Sequence, residues 1–410
     1  MEAIVERCAG LDVHQASVVA CVLLGEPGRK PRKEVRTFAT ATADLVALRD
    51  WLKDLGVTHV GMESTGIYWK PVYAVLEGHF ELIVGNAHHI KAVPGRKTDV
   101  KDAEWIADLI RHGLVKPSFV PPPIRELRDL VRHRRVLAET LAKERNRTLK
   151  LLETANIKLA SVATDVFGVS GMAMLRALLD GTIAPEAMAE LAKGRLRAKR
   201  ELLSRALHGR LTEQHRFLLR LQLRRLEEIK RDLGELEARI AQAMVPYLQQ
   251  QELLMQIPGV DAVAAAGILA EIGSDMSAFG SARRLAAWAG VCPGNHESAG
   301  RHKKSATRKG NLHLKATLMT AAVGAARTKG TFYKEKYYRL KPRLGAKRAA
   351  MAIAHKILVA VFHLLSSNVA FHELGAAHLD QQHKHRVAKG LVRRLDALGY
   401  DVLLRPKLAA

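Results

Sequence analysis

The first 120 residues switch hydrophobic period several times. Cys8 to Val13 is a short apolar run, and Ala16 to Leu24 is β-branched and apolar before the turn cluster Gly25-Glu26-Pro27-Gly28. Glu34 to Thr40 alternates as a third strand. Leu45, Leu48, Leu52 and Leu55 then recur at helical spacing, with Thr42 placed to cap the start and Gly56 to end the helix. Thr58 to Met62 predicts a strand, Ile67 to Glu77 a helix and Glu81 to Val84 a buried strand. Beyond a loop holding Pro94 and Gly95, a last helix is predicted from about Thr98 to His112.

Three strands, helix, strand, helix, strand, helix is the order of an RNase H-like α/β domain, although other α/β layouts share the string. Pro121-Pro122-Pro123 closes this domain, because three prolines extend the chain and cannot continue a helix. A helical region is predicted over 121–250. Leu127, Leu130, Leu137, Leu141, Leu152 and Leu159 mark one long amphipathic segment. Leu219, Leu226, Leu233 and Ile240 recur at sevens, with Ile229 and Leu236 in the second seam position, as in a coiled coil within the chain or between chains. Between them, around 163–195, Gly168, Gly171, Gly181 and Pro185 break the pattern into a small helical insertion. Residues 251–410 form a third, mainly helical domain. Its start, Ile257-Pro258-Gly259-Val260 before an alanine-rich helix, reads equally as half of a phosphate-binding helix-hairpin-helix or as a Pro-Gly turn between core helices. The final segment, with Arg386, Lys389, Arg393 and Arg394 beside Leu391 and Leu395, predicts a basic amphipathic helix.

Composition narrows the function. With 48% hydrophobic residues the chain is too apolar for a disordered protein, and 410 residues allow several domains. The net charge of +24 favours nucleic acid or an anionic membrane. A membrane span fails on length: the longest apolar run, Ala349 to Leu365, is interrupted by His355, Lys356 and His363. Acids stand near the N-terminus where a secretory leader is basic. Cys8, Cys21 and Cys292 have no CxxC spacing, which excludes a disulfide framework or cysteine zinc knuckle, and a cytosolic protein is expected. The charge is unevenly placed. Residues 1–120 carry 15 basic and 15 acidic side chains, whereas 298–348 carry 15 basic ones against the single acid Glu335. Such a tract repels itself without a polyanion, so nucleic-acid contact is expected there and different work in the neutral first third.

That neutral third holds four acids in telling positions. Asp12 closes the first strand in Gly10-Leu11-Asp12-Val13-His14, and Glu63 ends the fourth in Gly61-Met62-Glu63-Ser64-Thr65-Gly66. Asp99 and Asp102 sit three apart at the start of the last helix and share one face. In an RNase H-like sheet the first and fourth strands are neighbours and the last helix crosses their ends, so the four carboxylates converge. Converging carboxylates call for a cation, and an all-oxygen set suits Mg²⁺, with Mn²⁺ as a substitute, in phosphoryl transfer. Taken singly, Asp99 also reads as a dipole-favoured helix acid and Glu63 as a cap. His14, His88 and His89 are near enough for ligation but read better as loop and surface histidines. Lys91, Arg96, Lys97 and Lys101 flank the acids and are placed to hold a phosphate backbone. Tyr68 and Trp69 beside Glu63 read as core rings rather than base-stacking ones.

These motifs, followed by Gln256-Ile257-Pro258-Gly259-Val260, Phe279, Leu285 to Gly290, Pro293, Ser298-Ala299-Gly300 and Lys309-Gly310-Asn311, resemble those of the DEDD transposases of bacterial insertion sequences. The resemblance implies a RuvC-like N-terminal domain, a coiled coil and a C-terminal transposase domain. It also implies donor and target DNA as substrates, a structured bridge RNA as guide, a homo-oligomer (dimer or tetramer) and a cytoplasmic, bacterial setting. It further implies a serine nucleophile, here Ser298, with Asp12, Glu63, Asp99 and Asp102 as metal ligands. No base at fixed spacing singles out Ser298 by chemistry, and Ser305 lies close by; the family usually has Ser-Gly where this chain has Ser298-Ala299-Gly300. In the surrounding basic tract, Arg301, Lys303, Lys304, Arg308, Lys309 and Lys315 are the expected nucleic-acid contacts. Two other functions fit the same residues: a RuvC-like metal-dependent junction nuclease with water as nucleophile, and a non-catalytic nucleic-acid scaffold.

Overall fold

The computed structural model describes the chain apart from residues 1–2, 65, 88–89, 91–101, 116, 119–123, 294–296, 299–300, 303–306, 308, 383 and 405–410. The chain divides into two compact units, Met1–Val120 and Pro121–Ala410.

The first unit is a five-stranded mixed sheet: β1 (Arg7–Val13), β2 (Ser17–Leu24), β3 (Arg32–Ala39), β4 (His59–Glu63) and β5 (Glu81–Gly85). The spatial order is β3-β2-β1-β4-β5. β1, β2 and β3 pair antiparallel, whereas β4 runs parallel to both β1 and β5. Three helices accompany the strands: α1 (Thr42–Asp54), α2 (Trp69–Leu76) and α3 (Asp102–Arg111). Alternation along the strands sorts side chains to the two faces. Ala9, Leu11, Val18, Ala20, Val22, Val60 and Met62 share one core with Leu45, Leu48 and Leu52 of α1 and Val72 and Leu76 of α2. Cys8, Cys21 and Leu23 face the other way, onto Ala103, Ile106, Ala107 and Ile110 of α3. Burial pushes the Cys8 and Cys21 thiols up to about 12 and about 11, so both are inert packing groups.

The register brings Gly10 opposite Gly61 on the α3 face. A Cβ on Gly10 would lie 2.2 Å from the Ala103 carbonyl oxygen, and one on Gly61 2.4 Å from Ile110 Cγ1. The two glycines form a trough in which α3 lies against the sheet. Lys33 of β3 reaches across to Glu104 in the first turn of α3, at 2.9 and 3.0 Å from its two oxygens. The α1 start differs from expectation. Ala41 is the N-cap and Thr42 the first helical residue, with no side-chain cap, because the turn after β3 runs one residue shorter than the Thr42 cap requires.

The second unit is helical. Its first layer pairs α4 (Arg125–Thr154) with α9 (Glu213–Met244), and between them run the short helices α5 (Leu159–Val162), α6 (Val169–Asp180), α7 (Pro185–Glu190) and α8 (Arg200–Leu207). The predicted long segment stops before Leu159: Asn156 takes a positive φ of 56°, and Leu159 begins α5. Leu152, Leu159, Leu175, Leu203, Leu219 and Leu226 join one core, so the heptad seam of α9 is filled from within the chain over its first half. Further along, Ile229 and Ile240 are buried and Leu233 and Leu236 half-buried. Then follow α10 (Leu248–Met255), α11 (Ala262–Ile272), α12 (Ala282–Trp288), the two-residue strands β6 (Glu297–Ser298) and β7 (Arg301–His302), α13 (Leu312–Ala325), α14 (Phe332–Leu344), α15 (Ala346–Ser367), α16 (His378–Gln382) and α17 (Lys384–Asp396).

Among the described residues α15 is the one helix long and apolar enough to cross a membrane. Ile353, Ala354, Ile357, Leu358 and Val361 on it are fully buried against neighbouring helices, as expected of a core helix. Gly259, with φ 84°, packs on α13: a Cβ there would lie 2.3 Å from both Ala321 O and Ala325 N. That contact makes the Ile257-Pro258-Gly259 segment a turn between core helices.

Candidate active site

In the first unit Asp12 and Glu63 stand at the same end of the sheet because parallel neighbouring strands deliver them there. Asp12 is the penultimate residue of β1 and Glu63 the last of β4. These strands are hydrogen-bonded neighbours whose register runs to the Leu11–Met62 pair, so Asp12 and Glu63 come next on adjacent parallel strands. Asp102 opens α3, next to the Ala103 carbonyl that sits over Gly10. The glycine trough therefore sets the start of α3 near the end of β1 where Asp12 lies. The Asp12 side chain keeps 28% of its surface exposed, and its Oδ2 lies 3.1 Å from His14 Nε2. His14 is thus a direct neighbour of the first acid, a contact that the two-residue spacing along an extended chain allows. Glu63 and Asp102 each have polar partners of their own. The fourth acid, Asp99, and the flanking Lys91, Arg96, Lys97 and Lys101 lie outside the described residues, as do His88 and His89. Among the described residues no three acid, histidine or cysteine side chains stand close enough to hold a metal ion. The donor types do fit one: carboxylates at partly exposed positions are hard oxygen ligands of the kind Mg²⁺ and Mn²⁺ take.

Beside this sheet end, a small cavity of about 170 Å³ is lined by His14, Gln15, Thr40, Ile67 and Tyr68 among others. Tyr68 is 43% exposed, whereas Trp69 packs on the core and meets Tyr73 edge-on with ring centroids 5.8 Å apart. Of the two rings expected in the core, Trp69 is there and Tyr68 is on the lip.

In the second unit Ser298 lies on a two-residue hairpin and pairs through its backbone with Arg301, as Glu297 does with His302. The described residues on either side of it approach closely. Pro293 and Thr307 form an antiparallel bridge, and a Cβ on Gly310 would lie 2.4 Å from Gly290 N, so the two sides meet backbone to backbone. Lys315 is half-buried and donates from Nζ to Thr307 Oγ1 at 2.9 Å, while Lys309 is exposed. Lys303, Lys304, Ser305 and Arg308 lie outside the described residues.

A family described as "Transposase", of the DEDD type named for IS110, matches residues 9–157, and a second, "Transposase IS116/IS110/IS902 family", matches residues 251–338. The chain belongs to the IS110-type DEDD transposase family. The first match takes in the sheet with Asp12, Glu63 and Asp102, and the second takes in the Ser298 hairpin. The chain is 26% identical to the insertion element IS900 uncharacterized 42 kDa protein of Mycobacterium paratuberculosis, over 89% of this chain and 96% of the relative. It is 24% identical to a probable family 20 transposase of Pseudomonas aeruginosa, over 79% of this chain and 88% of the relative. Family membership makes it an insertion-sequence transposase, an enzyme that cuts and rejoins DNA, of a family whose DEDD type generally implies a divalent metal. Asp12, Glu63, Asp99 and Asp102 stood out as candidates from the sequence itself, whereas Ser298 was singled out only by the family resemblance. Glu271 of the second unit, 2% exposed and hydrogen-bonded to Arg132 and Asn311, did not stand out, although a single acid inside the apolar run Ala262–Ile272 was its signal.

Proposed function

We propose that this transposase cuts and rejoins DNA by transesterification, with Ser298 as nucleophile and Asp12, Glu63, Asp99 and Asp102 as ligands of Mg²⁺ or Mn²⁺. The observation that carries the reading is the delivery of Asp12 and Glu63 to the ends of adjacent parallel strands, with Asp102 opening the helix seated on them. The strand order β3-β2-β1-β4-β5, antiparallel then parallel, supports an RNase H-like, RuvC-like N-terminal domain. The further organisation is a helical region over 121–250 and a serine-bearing domain over 251–410.

The bound ion supplies charge neutralisation at the scissile phosphate. Ser298 Oγ attacks phosphorus and gives up its proton, the phosphorus–oxygen bond to the departing strand breaks, and the released sugar oxygen takes up a proton. The phosphodiester count is unchanged, so rejoining needs no nucleotide triphosphate. Lys91, Arg96, Lys97, Lys101, Arg301, Lys303, Lys304, Arg308, Lys309 and Lys315 hold the nucleic-acid backbone by charge. A structured guide RNA, donor and target DNA and a homo-oligomer complete the assembly in a bacterial cytoplasm, a part of the reading supported by family resemblance.

A covalent-trapping assay tests the chemistry. Protein with Mg²⁺, co-expressed RNA and labelled element-junction DNA is resolved under denaturing conditions beside Ser298→Ala and Asp12→Asn. A DNA-linked protein band lost in both variants is expected. Cutting that persists in Ser298→Ala without any linked band would instead make water the nucleophile and the protein a junction nuclease. Activity unchanged in Asp12→Asn would leave only a scaffold.

A further inference from the structure

The cavity at the sheet end opens one side chain away from the first acid. His14 lines it, and the same ring holds its Nε2 at 3.1 Å from Asp12 Oδ2. The volume of about 170 Å³ lies below the roughly 300 Å³ from which pockets take a whole small-molecule ligand, and it suits one flat ring. Tyr68 stands on the lip at 43% exposure, with Ile67 beside it at 68%. Leu45 of α1, fully buried, backs the cavity, and Gln15 and Thr40 give it a polar side.

Both walls are fixed by contacts outside the cavity. On one side Trp69 packs the start of α2 into the core, while Tyr68 before it makes no side-chain cap, so its ring is presented outward. On the other side the turn between β1 and β2 is tied down. His14 N donates to Ser17 O at 2.9 Å, and Thr40 Oγ1 donates to Gln15 O at 2.8 Å. The second bond uses the Gln15 backbone carbonyl and leaves its side-chain amide out of the turn. Among the described residues the lining has no lysine or arginine, so its chemistry is not that of a phosphate clamp. An aromatic face, an aliphatic back and an amide match a nucleobase, which has a π-face for stacking and an edge of donors and acceptors.

We propose that this cavity binds one nucleobase of the DNA strand held at the acids, with Tyr68 stacked on its face and Gln15 beside its edge. This rests on the reading of Asp12 and Glu63 as metal ligands at the scissile phosphate. A base seated here sets which phosphate of the strand reaches the metal. Residues 1–120, with 15 basic and 15 acidic side chains, thereby hold a strand in register by stacking, where net charge supplies no grip.

The test couples the ring to a single base. Full-length protein with co-expressed RNA is titrated with element-junction DNA, Ca²⁺ replacing Mg²⁺ to withhold cutting, and then with junction DNAs that each lack one base at successive nucleotides. On intact DNA, Tyr68→Ala is expected to bind about tenfold more weakly than wild type, and Tyr68→Phe, which keeps the ring, to bind as wild type does. On the DNA lacking the seated base, wild type and Tyr68→Ala bind equally, whereas the tenfold gap persists on the others. Should Tyr68→Ala not accumulate as folded protein, Tyr68→Leu keeps the apolar bulk without a stacking face, and the same coupling is expected. Equal binding of intact DNA by wild type and the ringless variant overturns the proposal. So does a gap that no missing base closes, or a Tyr68→Phe as weak as Tyr68→Ala. Wild-type cutting in Mg²⁺ by Asp12→Asn overturns the metal reading alone, because the coupling is measured without a cut.

Discussion

Asp12 and Glu271 are both carboxylates in packed surroundings, yet the two units treat them differently. Asp12 sits at a strand end, partly open to water, beside a histidine that is itself 61% exposed. Glu271 is sealed among two arginines and an asparagine that satisfy both its oxygens. The first arrangement leaves a carboxylate available to a ligand, and the second consumes it. The supporting architecture differs to match. In the sheet unit, position is set by missing side chains, the glycine trough under α3. In the helical unit it is set by added polar contacts.

The contrast can be broken at either end. The largest effect is expected from Asp12→Asn, which removes a proposed metal ligand: single-turnover cleavage drops by about a thousandfold or more, while the urea midpoint stays at the wild-type value. Glu271→Ala does the reverse. It strands Arg132 and Arg128 without their anion and costs about 3–5 kcal/mol in urea unfolding. The pH dependence follows from the same group. A carboxyl held below its usual 4.5 contributes stability that is fully present above that value and is lost as the pH falls through its lower folded pKa. Wild type should therefore lose more stability than Glu271→Gln in unfolding measured below pH 4.5.

Gly10→Ala sharpens the comparison in the sheet unit. Its new Cβ meets backbone at 2.2 Å, whereas that of Gly61→Ala meets only the side chains of Ile110 and Ile106. Thermal unfolding should show a loss of about 1–3 kcal/mol for Gly10→Ala and less for Gly61→Ala. The smallest effect is expected at Asp261, whose side chain accepts from Ala264 N to cap α11. Asp261→Ala should cost about 1 kcal/mol by the same assay and leave cleavage unchanged.

The sheet unit was readable in outline because its signals are local. The apolar runs at 8–13 and 16–24, the alternation at 34–40 and the leucines at helical spacing after Thr42 each describe one element, and the elements fall in that order. Thr42 failed as a cap because turn length, which periodicity does not encode, decided the first helical residue. The long leucine segment was readable to Thr154 but not its end, where a left-handed Asn156 stops the helix without a glycine or proline to announce it. Asp12 and Glu63 were legible as candidates because strand ends are local features. Glu271 was not, because its meaning comes from Arg132 and Asn311, 139 and 40 residues away in the chain. The contact of His14 with Asp12 lies between these cases: near in sequence, but dependent on the rotamers both adopt.

The helix Arg125–Thr154 has 30 residues and is therefore about 45 Å long. Near its start, Arg128 and Arg132 are bolted to the end of α11. In its second half Glu144, Thr148 and Leu152 are buried, with Arg147 and Arg225 on Glu144 and the α5–α8 core around Leu152. The helix is thus anchored near both ends, and it ties the core of the small helices to the end of α11.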